Sequence, residues 1–272
     1  MKIKSGLTLV ALMLSCTLTR AQSSVPSDSD ADYAAKLSQR RISEYSVNGR
    51  ALFSNAVDVE YGLQHGSSDS SIETSRSISN TLTLRSGLSE RVSSSLGFSS
   101  ERRQSTDIFS SEPFNSGRKN IQGSLSYLLM GETPSLPQLY AGLNVSERLD
   151  QRTQRGVGVS LSAFRTLESV TLNASLAYDR LRSHLMQTAF ADVDQHTVSA
   201  GGGLVLTLNH RAALSFGLNV SRAHAQNTLT VSQMGLTYRF TPLWVGRVGF
   251  SRQESGGQYS SIVINAIRTV NP

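Results

Sequence analysis

The clearest pattern in the chain lies between His196 and Arg222, where apolar and polar residues alternate one by one. An apolar residue or glycine occupies every second position in each of two arms, 198–208 and 212–220, which are separated by the short turn 209–211. Strict alternation over about ten residues predicts a strand with one apolar and one polar face. Two such arms joined by a tight turn predict a β-hairpin. The arms are long enough for tilted strands that cross a bilayer, which need roughly 9–11 residues.

The same alternation begins near Val57 and recurs through the rest of the chain, which predicts about twelve strands. The predicted strands span residues 57–64, 77–85, 91–98, 121–129, 138–145, 157–163, 170–179, 197–208, 212–221, 233–240, 244–251 and 261–266. Connections after the even-numbered strands are short, and those after the odd-numbered strands are mostly longer and polar, with the longest at 101–119. This arrangement predicts an all-β fold, a transmembrane antiparallel up-and-down β-barrel with tight turns at one end and long loops at the other.

Aromatic residues on the apolar side of the predicted strands fall near the strand ends. Two outward-facing aromatic girdles are typical of membrane barrels. The predicted girdle residues are Tyr61, Phe98, Tyr178 and Phe250 near the loops, and Tyr127, Tyr238, Phe240 and Trp244 near the turns. A soluble β-sandwich would also alternate, but it would have shorter strands and less regular connections.

The first 21 residues have the pattern of a secretory signal peptide. Lys2 and Lys4 precede the apolar run 6–14, and Thr19-Arg20-Ala21 offers a small-x-small cleavage site. The run is too short to span a bilayer as a helix, and no other segment could do so. Cys16, the only cysteine, would leave with the signal, so we expect no disulfide or thiolate chemistry in the mature chain. Lipidation of Cys16 is the alternative, and the preceding residues match its usual context poorly.

Composition argues against a conventional packed core. Hydrophobic residues make up 38% and charged residues 17% of the 272 positions, both below globular averages, whereas small polar residues are plentiful. The formal charge of +6 includes Lys2, Lys4 and Arg20 of the signal, and removing these three leaves 23 basic and 20 acidic residues, a net charge of +3. A nucleic-acid partner is therefore not expected.

The chain divides into three predicted parts. Residues 1–21 form the signal peptide, residues 22–49 a periplasmic N-terminal segment, and residues 50–272 the outer-membrane barrel. Within the second part, residues 22–31 are polar and predicted to be disordered, and residues 32–46 predict a short helix that Asp32 could cap. This helix could be a periplasmic tail, a plug inside the lumen, or a contact for a periplasmic or secretion partner.

Over about residues 50–270 the alternation resembles outer-membrane β-barrel proteins, although no diagnostic motif carries the likeness. The pattern is most similar to twelve-stranded small porins and to secretion barrels with an N-terminal helical plug. The resemblance implies an outer-membrane location in a Gram-negative-type bacterium, both termini in the periplasm, and contact with outer-membrane lipid and the barrel-insertion machinery. One feature departs from it: such barrels usually end in an aromatic residue, whereas residues 267–272 contain none.

The polar side of the predicted strands would line an aqueous lumen, because twelve strands enclose a wide channel when the inner side chains are small. Most of these residues are Ser, Gly, Thr and Asn. The predicted pore-lining charges are Asp58, Glu60, Arg85, Arg91, Asp179, Arg239 and Arg247. The four arginines flank two turns and would form a basic rim that favours anions. Pairing with inward acids or contact with lipid phosphates is the alternative.

The sequence predicts no catalytic residues, no metal site and no cofactor. The five histidines lack metal-ligand spacing, and only a loop histidine beside Asp192 or Asp194 could act as a base. Gly201–Gly203 lies within a predicted strand, so it is not a phosphate-binding loop, and we expect it to mark a thin wall or a bend.

These features favour a non-enzymatic channel or porin-like transporter for small polar or anionic solutes, or a channel that exports a polymer. The alternative is a structural or adhesive surface protein with a closed lumen, which would act through the predicted loops 101–119 and 180–196.

Overall fold

Twelve antiparallel strands close into a barrel. The computed structural model describes residues 41–46, 56–69, 73–107, 113–149, 154–184, 192–223, 227–254 and 258–270. The strands are β1 (Val57–Asp69), β2 (Glu73–Gly87), β3 (Val92–Asp107), β4 (Phe114–Met130), β5 (Gln138–Arg148), β6 (Gln154–Leu167), β7 (Val170–His184), β8 (Asp192–Thr207), β9 (Ala212–Ala223), β10 (Leu229–Thr241), β11 (Trp244–Glu254) and β12 (Gln258–Val270). Each strand pairs with its neighbours in sequence, and β12 pairs with β1. The predicted up-and-down barrel is therefore confirmed.

The barrel has two different ends. At the turn end, the strands are joined by residues 88–91, 131–137, 168–169, 208–211 and 242–243, and both the first residue of β1 and the last of β12 lie there. The two-residue β6–β7 turn includes Glu168, whose φ of 49° is the left-handed conformation that tight hairpin turns require. The opposite end is called the loop end. Within the described residues, no helix is long and apolar enough to cross a membrane.

The strands extend further towards the loop end than the alternation predicted. β3 continues to Asp107 and β4 begins at Phe114, so the predicted loop 101–119 is mostly paired strand. The predicted loop 180–196 is likewise reduced to residues 185–191. The alternation disappears there because most residues on both faces of these strand ends are polar, whereas the backbone pairing continues. The prediction of long loops at 101–119 and 180–196 is therefore wrong, because most of these residues belong to strands of the barrel wall.

The outer face of the barrel is apolar. Large side chains such as Leu176, Leu218 and Ile264 are more than half exposed, and they recur at alternate positions. All eight predicted girdle residues lie on this face, with exposed fractions from 39% for Tyr238 to 63% for Phe240. Tyr61 lies between Val59 and Leu63 on the same face of β1, so it lies within the apolar band and not at its edge. A band of this kind is stable when it contacts lipid.

Substitution by arginine can test which positions of β7 face lipid and which face the lumen. Leu176 points outward at the middle of the strand with 55% exposure, whereas its neighbour Ser175 lines the interior. We predict that Leu176→Arg lowers the free energy of unfolding from lipid vesicles by about 2–4 kcal/mol, because it places a charge in hydrocarbon. Urea titration of folding into phospholipid vesicles measures this loss.

Ser175→Arg is the matched control, because the same side chain there can reach water in the lumen. We expect its unfolding free energy to stay within about 1 kcal/mol of the parent. Equal losses for the two variants would contradict the assignment of faces.

Candidate functional site: a plugged lumen

A short segment from the N-terminal part of the chain lies inside the barrel. Residues Ile42–Tyr45 form a single 3₁₀ turn, and the side chains of Ile42 and Tyr45 are each 2% exposed. The segment packs at the turn end, against β8, β9 and β10. We call residues 41–46 the plug segment. Of the three sequence-based alternatives for residues 32–46, the structure favours the plug, while residues 32–40 lie outside the described residues.

An apolar layer of wall residues surrounds the plug segment. Ile42 and Tyr45 join one hydrophobic cluster with six buried residues of the inner wall, and Leu128 of β4 packs against it. The six wall residues are Tyr140 (β5), Phe164 (β6), Val205 (β8), Ala213 (β9), Val245 (β11) and Ile267 (β12). The rings of Tyr140 and Phe164 meet edge to face with centroids 5.7 Å apart. The cluster draws on seven of the twelve strands, so the plug segment lies among apolar residues around much of the described wall.

Three polar contacts hold the plug segment to β10 and β11. The hydroxyls of Ser46 and Thr237 are hydrogen bonded at 2.7 Å. The Arg247 guanidinium donates to the Tyr45 carbonyl oxygen at 3.4 Å, and the Arg239 guanidinium lies 5.7 Å from the centre of the Tyr45 ring. A cation at that distance from an aromatic ring is attracted by the ring's electron density. The plug segment is therefore positioned by hydrogen bonds and a cation–π contact as well as by burial.

Glu60 of β1 organises the charges beside the plug segment. Its carboxylate accepts hydrogen bonds from Arg85 at 2.9 Å, Arg247 at 3.0 Å and Asn265 at 2.7 Å. The Glu60 side chain is 8% exposed, and the two arginines are 27% and 21% exposed. We call these four residues the Glu60 network. Since Arg247 also contacts Tyr45, the network connects the wall charges directly to the plug segment.

The structure brings together five of the seven predicted pore-lining residues. Glu60, Arg85, Arg239 and Arg247 lie around the plug segment, and Asp58 accepts a hydrogen bond from Thr269 nearby at 2.7 Å. Asp179 lies apart on β7, facing the lumen opposite Gly158 of β6. Arg91 lies in the exposed turn 88–91, before β3 begins. The arginines around the plug segment form ion-pair and ring contacts, so the basic rim is partly neutralised by Glu60.

A polar cavity of 320 Å³ lies beside the plug segment on its loop-end side. Ser46 and Phe164 contribute to it at the plug segment, and small polar wall residues such as Ser175, Asn219 and Gln233 line the rest. Glycine is required at one position of β8: a Cβ on Gly203 would lie 2.5 Å from the backbone oxygen of Phe216 on β9, which would force the two strands apart. Gly203 therefore allows β8 and β9 to pack closely.

One of the five histidines, His196, meets Asp194 on the outside of the barrel. His196 Nε2 lies 3.7 Å from Asp194 Oδ1, and His196 Nδ1 is 2.6 Å from the Tyr178 hydroxyl. Arg180 also donates to Asp194. Within the described residues, no group of three or more His, Cys, Asp or Glu could hold a metal ion.

Sequence analysis missed the apolar layer around the plug segment. Phe164, Val205, Val245 and Ile267 lie on the polar side of their strands, near the turns, and were not assigned a role. The layer could have been recognised because several strands carry an apolar residue on their lumen-facing side at the same distance from the turns. Apolar residues that face the lumen at one level are stabilised when another apolar group inside the lumen covers them.

Solved structures with the same fold are outer-membrane barrels. The translocator domain of the autotransporter NalP from Neisseria meningitidis matches with a TM-score of 0.60 and 14% identity, covering 88% of this chain and 97% of that one. An outer membrane channel from Pseudomonas putida F1 matches with a TM-score of 0.62 and 13% identity, covering 82% and 98%. The NanC porin matches with a TM-score of 0.53 and 12% identity, covering 77% and 100%.

These likenesses and the closed twelve-stranded ring define the class of the protein as a transmembrane β-barrel of the outer-membrane type. No protein-family model matches the chain, and no curated protein sequence matches it. At 12–14% identity the comparisons show the fold alone.

The Glu60 network can be tested by neutralising its acceptor. We predict that Glu60→Gln lowers the free energy of unfolding from vesicles by about 2–3 kcal/mol, because two partly buried arginines lose their counter-charge. Urea titration in phospholipid vesicles measures the change.

Glu254→Gln is the matched control, because Glu254 pairs with Arg252 at the exposed loop end, where the two side chains are 57% and 45% exposed. An exposed pair contributes at most about 1 kcal/mol, so the control should lose less. A loss as large for Glu254→Gln would show that Glu60 has no special structural role.

Proposed function

We propose that the protein is an outer-membrane channel whose lumen is closed near the turn end by the plug segment. The observation that carries this proposal is the match between Ile42 and Tyr45 and the apolar layer of the wall. Away from the plug segment the cavity is lined mainly by small polar residues, which leave room for water and polar solutes. A polar lumen with one apolar constriction is the arrangement expected of a gated channel.

The proposed orientation places the turn end in the periplasm. Short turns face the periplasm and longer connections face outward in outer-membrane barrels. In this chain the described ends of β1 and β12 and the plug segment are at the turn end. The plug segment would then be reachable by a periplasmic partner through residues 22–46, and it would close the periplasmic mouth of the channel.

The proposed solutes are small, polar and neutral or anionic. Arg85, Arg239 and Arg247 outnumber Asp58 and Glu60 at the plugged level of the lumen, although Glu60 neutralises part of this charge. The anion preference should therefore be weak. Export of a polymer would use the same path, with the plug segment displaced.

A second candidate is a structural or adhesive outer-membrane protein whose lumen never opens. The burial of Ile42 and Tyr45 favours a closed lumen in this conformation. The two candidates differ in whether removal of the plug segment produces a conducting pore.

Cross-linking the plug segment tests the gate. Ser46 and Thr237 have hydroxyls 2.7 Å apart, so Ser46→Cys with Thr237→Cys should form a disulfide when Cys16 is replaced by serine. We predict that the oxidised variant shows no openings in planar bilayers and that a reductant restores them. Deletion of residues 22–46 should give steady conductance.

Ser251→Cys with Ser261→Cys is the matched control, because those hydroxyls are also 2.7 Å apart but join β11 to β12. Oxidation of this pair should leave conductance unchanged. If the chain lacking residues 22–46 folds but does not conduct, the channel proposal is rejected and the second candidate is preferred.

Charge selectivity can be tested in the same deletion variant. We predict that a triple variant with serine at Arg85, Arg239 and Arg247 has a reversal potential in a salt gradient that is shifted towards cation preference. Glu60→Gln should shift the reversal potential towards anion preference. Arg91→Ser is the control, because Arg91 lies in an exposed turn, and it should have a smaller effect. Equal shifts for Arg91 and for the three lumen arginines would contradict the assignment.

A further inference from the structure

Basic residues form a belt on the outer face of the barrel near the loop end. On β2, β3 and β4, the outward residues Arg76, Arg102 and Lys119 lie just beyond the apolar residues Ile78, Phe98 and Ile121 of the same strands. On β6 and β7, Arg155, Arg180 and Arg182 lie just beyond Val157 and Tyr178. Strands β9 and β11 repeat the arrangement with Arg222 and Arg252. Seven of the twelve strands therefore place a cation at the same edge of the apolar band.

The opposite edge of the band lacks this belt. Among the outward strand residues that the structure describes at the turn end, the basic ones are Arg165 and Arg268. Arg165 donates to the backbone oxygens of Pro134 and Ser135, and the Arg268 guanidinium lies 5.4 Å from the centre of the Trp244 ring. The outward cations of the strands are therefore concentrated at the loop end, whereas Arg91 and Arg211 at the turn end lie in turns.

The best-formed part of the basic belt is a groove on β6 and β7. It has a volume of 550 Å³, with Val157, Val159 and Tyr178 as an apolar floor and the three arginines at its loop-end side. Arg155 and Arg182 are directly opposite each other in the strand register. This order, apolar towards the middle of the band and cationic at its edge, is complementary to a lipid with acyl chains and an anionic headgroup.

Acidic neighbours hold these guanidiniums in place without occupying all of their donors. Glu147 accepts from Arg155 at 3.1 Å and 3.2 Å, and Asp194 accepts from Arg180 and lies 3.9 Å from Arg182. A guanidinium carries five N–H donors, more than one carboxylate can bind, so donors remain for a phosphate.

We propose that this basic belt binds the phosphorylated headgroups of glycolipid in the leaflet at the loop end, with the β6–β7 groove as its principal site. Each phosphate bridges neighbouring guanidiniums while an acyl chain covers Val157, Val159 and Tyr178. Clustered Lys and Arg at a membrane edge attract anionic headgroups, and arginine binds phosphate through paired hydrogen bonds. The proposal needs insertion with the loop end outward, and it is independent of what passes through the lumen.

The test measures binding of lipid A that carries two phosphates to the full mature chain in zwitterionic detergent, by native mass spectrometry. We expect a triple variant with serine at Arg155, Arg180 and Arg182 to bind this lipid at least about tenfold more weakly than the parent. Lipid A from which both phosphates have been removed should bind the parent about as weakly. Arg165→Ser with Arg268→Ser is the control at the turn end, and it should bind like the parent.

A second variant guards against a folding defect on β6 and β7. This variant replaces three cations of β2–β4 with serine, at Arg76, Arg102 and Lys119. We expect it to bind fewer lipid molecules than the parent. Migration before and after boiling reports whether each variant is folded. Binding that is equal in the parent and in both folded triple variants would overturn the proposal, as would equal binding of the dephosphorylated lipid. Displacement of the lipid by an equal concentration of inorganic phosphate would also overturn it, because the site would then bind a free anion.

Discussion

The pairing of β12 with β1 is the constraint on which the rest of the structure depends. These strands pair along their whole length, from Val57 opposite Val270 to Asp69 opposite Gln258. In hydrocarbon, a backbone N–H or C=O without a partner costs several kcal/mol, and only a closed sheet leaves none at its edges. Closure also gives every strand one face towards lipid and one towards the lumen. The alternating sequence is therefore a direct consequence of this ring.

A closed ring of twelve strands creates an interior that its own side chains need not fill. Small polar residues on most of the inner wall leave the cavity beside the plug segment. The apolar layer near the turn end has the opposite requirement, because water against Phe164, Val205 and Ile267 would be unfavourable. The plug segment covers that layer with Ile42 and Tyr45, so the wall and the N-terminal part of the chain are complementary.

The sequence was sufficient to predict the barrel, its strand number and the positions of its turns, because one face of each strand contacts lipid. The sequence-based strands stop short of the loop end. Residues such as Arg102 and Asp107 continue the backbone pairing of β3 where most side chains on both faces are polar. The sequence placed Arg85 and Arg247 at the same end of the lumen through parity and turn position, and Glu60 on the inner face of β1. It could not reveal that they share hydrogen bonds, because β11 and β1 meet only through closure at β12. The plug segment's partners on β5, β6 and β8 were not recognised, although Tyr140, Phe164 and Val205 interrupt the polar side of their strands.

The contacts that hold the plug segment are few and individually modest. Burial of Ile42 and Tyr45 contributes about 3–6 kcal/mol, and the Ser46 hydrogen bond adds about 1 kcal/mol. This gain is opposed by the conformational entropy lost when the backbone of the segment is ordered. The contacts from Arg239 and Arg247 to Tyr45 therefore influence whether it stays in place. Since Arg247 also binds Glu60, the proposed gate would respond to a change in the charge of the wall.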